Sequence, residues 1–318
     1  MNEAWPTFSI IVPTYNRPLQ LWRCLQALSE SKYPHDRFEV VVVDDGSAMS
    51  LEPVVAWFQT KMAIRLVTQP NKGPAAARNM GARVANGRFL AFTDDDCVPH
   101  PAWLRQLALF LDDHPEKMVG GYTKNGLPHN KFSLASQLLI DFLYVYYNRV
   151  ESPARFFTSN NFALAASHYW QVGGFDETLP LAAAEDREFC DRWQQYGLGM
   201  VYLPQAVVEH EHHMRPFSFW RQHFNYGRGA WLFHLARSQR TQGNIQLESP
   251  GFYLRLVGYP LLVIKGRRAL GLTAMLIGTQ VANAAGFFYE RFARLGQAKK
   301  KLPWREPYVP VENVSNTD

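Results

Sequence analysis

A chain of 318 residues, 47% hydrophobic and 19% charged, is globular with an apolar tilt, and long enough for one large α/β domain plus an appendage. Its net charge of +5 hides an asymmetry: residues 1–215 carry 19 Lys/Arg against 23 Asp/Glu, and residues 216–318 carry 14 against 5, so the positive charge sits in the last third and points to an anionic partner. The three cysteines, Cys24, Cys97 and Cys190, lie far apart, which excludes a disulfide scaffold or a cysteine-built zinc site and fits a reducing cytoplasm.

The N-terminus, Met1 to Pro6, has no basic or apolar leader pattern, so no signal peptide is expected. Phe8 to Val12 is a short apolar run, the signature of a buried strand. The turn Pro13-Thr14-Tyr15-Asn16-Arg17-Pro18 follows, then Leu21, Leu25 and Leu28 at helical spacing. Phe38 to Val43 reads as a second strand, ending in Asp44-Asp45-Gly46-Ser47. A helix through Val54 to Phe58 and a strand over Ile64 to Thr68 come next. Asn71-Lys72-Gly73-Pro74 opens an alanine-rich helix to about Ala85, and Gly87 closes it. Phe89 to Thr93 is a fourth strand, running into Asp94-Asp95-Asp96, and Pro101 to Asp112 is a helix.

The following stretch is less regular. Phe132 to Tyr147 reads as an aromatic helix or a substrate-side flap, and Asn160 to Ala166 as a strand. Gly173 to Glu177 is a turn, and Glu185 to Tyr196 an amphipathic helix. Met200 to Leu203 and Ala206 to Val208 read as two closing strands. In the first half, strands separated by single helices imply right-handed crossovers and a parallel sheet, with ligands at the carboxyl ends of its strands. The polar clusters at residues 14–17, 44–47 and 94–96 fall at those ends, which predicts one composite site.

Each cluster has a chemistry. Three adjacent carboxylates repel one another unless a cation lies between them, and Mg²⁺ or Mn²⁺ with oxygen ligands would also grip a diphosphate. A solvated acidic loop is the plain alternative, which the strand-end position disfavours. Asp44 can accept from a base N–H or a ribose hydroxyl, while the alternative role of capping the next helix suits Ser47 or Ser50 better. Arg78 follows a helix N-terminus that favours anions, and can contact a base carbonyl or a phosphate, or else sit on an exposed face. Glu185 and Asp186 either complement their helix dipole or supply a general base, and sequence leaves the two readings level. In Glu209-His210-Glu211-His212-His213, one imidazole can complete a metal shell or meet a diphosphate.

The ordered set Pro13-Thr14-Tyr15-Asn16-Arg17, Val43-Asp44-Asp45-Gly46-Ser47, Asn71-Lys72-Gly73 with Ala77-Arg78-Asn79, Thr93-Asp94-Asp95-Asp96, Gly173-Gly174-Phe175-Asp176-Glu177 and Glu185-Asp186 resembles family 2 glycosyltransferases over roughly residues 7–213. The resemblance implies an α/β GT-A fold, the Rossmann-like nucleotide-diphospho-sugar transferase fold, here with a C-terminal helical extension. It implies that Pro13, Thr14, Tyr15, Arg17, Asp44, Lys72, Arg78, Asp94 and Asp95 bind the nucleotide sugar. Asp96, with His212 or His210, would hold Mn²⁺ or Mg²⁺. Asp186 stands at the family's catalytic base, for inverting transfer to a hydroxyl. Phe189 replaces the Gln of the Gln-x-x-Arg-Trp motif of processive synthases, which points to a non-processive enzyme, and Ala166-Ser167 replaces a basic residue common in relatives. The expected donor is a UDP-sugar and the expected acceptor a glycan or a lipid-linked glycan.

Beyond the catalytic domain, placed at 1–215, an active-site loop or linker helix at 216–250, whose Gln222 to Gly229 stretch resembles the loop of short, non-processive relatives, leads to an apolar-basic helical region at 251–300 and a tail at 301–318. No charge occurs between Ala269 and Tyr289, while Lys265, Arg267, Arg268 and Lys299 to Lys301 flank this region. Interrupting Thr, Gln, Asn and Gly residues favour helices lying on a membrane over a spanning segment, or else helices packed on the catalytic domain. The expected location is the cytoplasmic face of the cell membrane. Rival readings are a nucleotidyltransferase, which would carry a Gly-rich loop after the first strand, and a catalytically silent membrane scaffold. A nucleic-acid partner is not expected, since the basic tail lacks interleaved aromatics.

Overall fold

A computed structural model describes residues 5–148, 153–179, 183–245 and 247–294. The expected tail, the Lys299 to Lys301 run and the first four residues lie outside this set.

One eight-stranded sheet organises the catalytic region, in the order β3-β2-β1-β4-β7-β6-β8-β5. The strands are β1 (Phe8–Thr14), β2 (Phe38–Asp44), β3 (Ala63–Thr68), β4 (Phe89–Phe92), β5 (Cys97–Pro99), β6 (Met118–Asn125), β7 (Phe162–Ala165) and β8 (Met200–His210). The helices α1 (Pro18–Ser29), α2 (Glu52–Phe58), α3 (Pro74–Val84), α4 (Trp103–Asp113), α5 (Lys131–Tyr147), α6 (Ala166–Val172) and α7 (Glu185–Gln195) surround it. The first four strands are parallel, as their spacing predicts. Alternation decides their two faces. Ile10, Val12, Val40 and Val42 pack towards α1, α2 and α4, while Ile11, Val41 and Val43 pack towards α3, α6 and α7.

The second half of the sheet is mixed. β7 runs antiparallel to both β4 and β6, and β5 antiparallel to β8. No crossover helix follows β4; the acidic run turns the chain directly into β5. The two expected closing strands are one strand, β8, broken by an irregularity opposite Gly121 and Tyr122. β6 escaped the sequence because its two glycines weaken a strand pattern. They are needed there: a Cβ at Gly120 would lie 2.3 Å from the Phe157 ring, and one at Gly121 1.9 Å from the Ala206 carbonyl oxygen.

A separate helical layer covers one side. α8 (Pro216–Thr241), α9 (Pro250–Val263) and α10 (Arg267–Ala293) share a third core with α5, through Leu138, Phe142, Phe219, Phe252, Leu256 and Leu276. α8 and α10 touch at the backbone. A Cβ on Gly227 would meet the Asn283 carbonyl oxygen at 1.9 Å, and one on Gly286 the Phe224 carbonyl oxygen at 1.9 Å. Most of the stretch expected as an active-site loop or linker helix is therefore one long helix whose small residues allow close approach, and Arg228 Nε pins it to Glu290 Oε2 at 2.7 Å.

Candidate active site

β1 pairs with β2 on one side and β4 on the other, so the strand order reverses at β1. Such a switch point opens a crevice at the strands' carboxyl ends. Thr14 and Asp44 close β1 and β2 in register, and the acidic run leaves β4 beside them. Thr14 Oγ1 donates to Asp95 Oδ2 at 2.8 Å. Arg17 Nη1 reaches Asp95 Oδ1 at 3.1 Å and Asp96 Oδ2 at 3.0 Å, with its side chain 46% exposed. Burial pushes the Asp95 carboxyl up to about 6, with Arg17 opposing.

Asp44 and Asp45 divide their work. Asp44 Oδ1 accepts the Ser47 N–H at 2.9 Å and shapes the turn. Asp45 faces the cavity and accepts from Gln69 Nε2, the Lys72 N–H and the Gly73 N–H, at 2.8, 2.9 and 2.8 Å. The loop before α3 is thus hung on Asp45. Pro13, Tyr15 and Arg17 lie on the cavity wall; the side chains of Asp44 and Lys72 do not.

Arg78 is 3% exposed and buried under the site, instead of on the outer face of α3. Its guanidinium joins Asp94 Oδ1 at 2.6 Å to Glu185 Oε1 at 3.3 Å and lies over the Phe175 ring. Its Nε has no hydrogen-bond partner among the described residues. Asn79, its neighbour, accepts from the Phe175 N–H and the Tyr169 hydroxyl and donates to the Phe175 carbonyl. The Gly173 to Glu177 turn is thereby locked onto α3. Gly174 sits at φ 68°, with no room for a Cβ against Asn79 Oδ1.

Asp186 enters from α7. Ala184 precedes this helix at φ 73°, a left-handed conformation that is strained for a residue with a Cβ. Asp186 Oδ1 accepts the Arg187 N–H at 2.7 Å. Burial pushes its carboxyl up to about 7, and the adjacent Glu185 adds to the push. A carboxyl poised there can exchange a proton near neutrality.

The antiparallel β5–β8 pair brings the late histidines in. Cys97 sits opposite His210, which places His210 Nε2 3.2 Å from Asp96 Oδ1. The His212 ring lies 5.2 Å from that of His210. Burial alone would raise the Asp96 carboxyl, but His210 and Arg17 outweigh it and hold it well below the usual range. Burial pushes the His212 imidazole down to about 4, helped by His210. The donor atoms of Asp96, Cys97 and His210 lie within 4.8 Å of one another. Burial lifts the Cys97 thiol well above its usual value, and a hard cation prefers oxygen and nitrogen donors to a thiol. A carboxylate backed by imidazole remains, a donor set that fits Mn²⁺ or Mg²⁺ with further ligands from water or phosphate.

Asp45, Asp94, Asp95, Asp96, Arg78 and Asp186 border a single cavity of about 1350 Å³, together with His210 and His212. Its far wall comes from the stretch expected as an active-site loop or linker helix. Gln222 and Tyr226 of α8 face it, with Gln222 Nε2 donating to the Tyr226 hydroxyl at 2.5 Å. Their i, i+4 spacing is the signal that could have placed them on one helical face.

Known proteins agree with this architecture. The profile of glycosyl transferase family 2 matches residues 9–173. The chain is similar to the hyaluronan synthase of Pasteurella multocida, 33% identical over an alignment of 236 positions that covers 64% of this chain and 24% of that one. It is similar also to the validoxylamine A glucosyltransferase of Streptomyces hygroscopicus subsp. limoneus, 32% identical over an alignment of 224 positions that covers 62% of this chain and 49% of that one. The chain therefore matches between about a quarter and a half of the length of these relatives. Among solved structures, the mannosyltransferase PcManGT of Pyrobaculum calidifontis, in complex with GDP-Man and Mn²⁺, superimposes with a TM-score of 0.62 over 94% of this chain and 89% of that one, at 19% identity. That likeness is one of fold, and the fold is GT-A.

Proposed function

The chain belongs to glycosyl transferase family 2, and from that premise we propose that it transfers a sugar, with inversion, from a nucleotide-diphosphate donor to a hydroxyl acceptor, a glycan or a lipid-linked glycan. The observation that carries this reading is the convergence of the acidic run, Arg78 and Asp186 on one cavity.

In this reading Pro13, Thr14, Tyr15 and the loop hung on Asp45 cradle the nucleotide. Arg78 stays tied to Asp94 beneath them. Asp96, with His212 or His210, would hold the divalent cation, whose charge neutralises the departing diphosphate. Asp186 takes the acceptor's hydroxyl proton as the acceptor oxygen bonds to the anomeric carbon. The bond from that carbon to the diphosphate oxygen breaks, and the nucleoside diphosphate leaves with the bonding pair.

We propose a membrane surface as the working location. α10, 27 residues, is long and apolar enough to cross a membrane by length and composition, and 28% of its most apolar window is buried. Its backbone contacts with α8 favour lying along a surface over crossing it. At the α9–α10 turn, Leu261, Leu262 and Val263 are exposed beside Lys265, Arg267 and Arg268, a pairing suited to anionic lipid.

The test is a panel of UDP-, GDP- and dTDP-sugars with Mn²⁺, read by thermal shift and by mass analysis of products. One sugar nucleotide should stabilise the chain and release a nucleoside diphosphate. Release of pyrophosphate would instead assign a nucleotidyltransferase, and no binding by any member would refute the reading.

A further inference from the structure

The cavity does not end at the catalytic groups. Where α5, α9 and α10 line it, the wall is largely apolar, with Leu143, Phe252, Leu256, Phe287 and Phe288, and with Glu248, Gln280 and Asn283 among them. A second, shallower groove lies between α9 and α10, lined by Leu254, Val257, Ile277 and Val281. Glu248, Tyr253, Gln280 and Ala284 border both spaces. They form a common border, so the groove between α9 and α10 abuts the cavity that holds Asp186.

This lining selects its ligand. A free oligosaccharide needs a hydrogen-bonding partner for each hydroxyl it buries. Leu143, Leu256, Phe287 and Phe288 offer none. At the outer end Leu254 is 71% exposed and Val281 64% exposed, and burying such side chains against hydrocarbon is favourable. The basic turn at Lys265, Arg267 and Arg268 stands at one end of the same helix pair and complements a negatively charged lipid surface.

We infer that the acceptor is an amphiphile, its headgroup at Asp186 and its hydrocarbon chain laid between α9 and α10. The headgroup end rests on the glycosyl-transfer reading; the chain end rests on the groove alone. Ala284 and Val281 control the groove, since a large side chain at either fills it without touching the acidic run, Arg78 or Asp186.

The test uses the full chain and two probes, a dansyl-tagged long-chain fatty acid and chainless dansyl-glycine. The wild-type chain should bind the long-chain probe saturably, with a blue-shifted emission, and leave dansyl-glycine unbound. Ala284→Trp and Val281→Trp should each weaken long-chain binding at least tenfold, because each displaced methylene costs about fourfold in affinity. Nucleotide binding with Mn²⁺, measured in parallel, should be unchanged and shows that the variants are folded. Val281 is exposed, so its substitution spares the core. Equal response to both probes, or wild-type affinity in both variants, would overturn the inference. Absence of nucleotide binding in the wild-type chain would strike the donor reading instead, while the probe still decides the groove.

Discussion

The carbonyl oxygen of Ala183 occupies the space beside Gly229 that a side chain would need: a Cβ built on Gly229 would lie 2.5 Å from it. α8 thus presses directly on the strained Ala183–Ala184 turn that launches α7 and sets the direction of Asp186. Gly229→Ala must push this turn away. A displacement on the order of 1 Å at a catalytic group costs about 10²-fold in rate. The variant is expected to lose about that much kcat while binding the nucleotide as before. Steady-state kinetics beside calorimetric nucleotide titration would show it, and an unchanged kcat would mean that the turn does not aim the base.

Asp186→Asn removes the proton acceptor and should lower kcat by about 10²–10⁴-fold. With the wild-type carboxyl pushed up to about 7, the wild-type rate should climb as pH rises to that value and level off above it. The variant's profile should lack that limb. Stability has the opposite slope. Folding raises this carboxyl above its ordinary 3.8, so between roughly pH 4 and 7 the folded chain keeps a proton that the unfolded chain has lost, and stability falls as pH rises through that window. The variant should lose that part of the decline in a series of thermal melts.

Asp96 is where cation binding should be most sensitive. Asp96→Ala should abolish the gain in nucleotide affinity that Mn²⁺ confers, and His212→Ala should reduce it at least about tenfold. Titration of UDP and GDP with and without Mn²⁺ measures both. A Mn²⁺ effect of full size in Asp96→Ala would move the cation elsewhere.

Away from the chemistry, a buried ionic clamp joins α7 to α8. Glu188, 1% exposed, meets Arg240 and also Arg192, whose Nη2 lies 2.6 Å from Glu188 Oε2. Arg240 Nη2 also reaches Asp191 Oδ2 at 2.6 Å. Burial alone would raise the Glu188 carboxyl, yet Arg192 and Arg240 together hold it below its ordinary 4.5. Its contribution to stability is therefore full above that value and lost as pH falls below it. Glu188→Ala leaves two buried guanidinium groups short of a partner and should cost about 3–5 kcal/mol in urea unfolding.

The basic turn makes a membrane prediction that leaves the third core intact, which removal of α9 and α10 would not. Reversing Lys265, Arg267 and Arg268 to Glu should weaken pelleting with anionic vesicles by at least about fivefold per residue, at roughly 1 kcal/mol for each charge. Neutral vesicles should show little difference. Equal pelleting of both proteins with anionic vesicles would remove the electrostatic part of the proposal.

Much of the first half was legible because its signals are local. Buried parallel strands are short apolar runs, and the polar turns after β1, β2 and β4 name their own ends. The second half was not. β5 is three residues long and β6 carries paired glycines, so neither shows alternation. The antiparallel direction of β7 depends on which strands it lies between. Arg78 illustrates the divide: its residue type and helix position suggested an anion contact, but its place between Asp94 and Glu185 requires α3 and α7 to be brought together.

The sequence by itself determined the parallel nucleus, the acidic run at a strand end and the order of the polar turns, because backbone propensity and hydrophobic period act over a few residues. Tertiary structure alone decided that Asp45 and not Asp44 faces the cavity, that the Cys97–His210 pairing sets Asp96 beside an imidazole, and that three glycines bring α8 against α10 and the Asp186 turn. Those facts arise from pairings between segments far apart in the chain, where packing and charge neutralisation choose among arrangements that local pattern leaves equal.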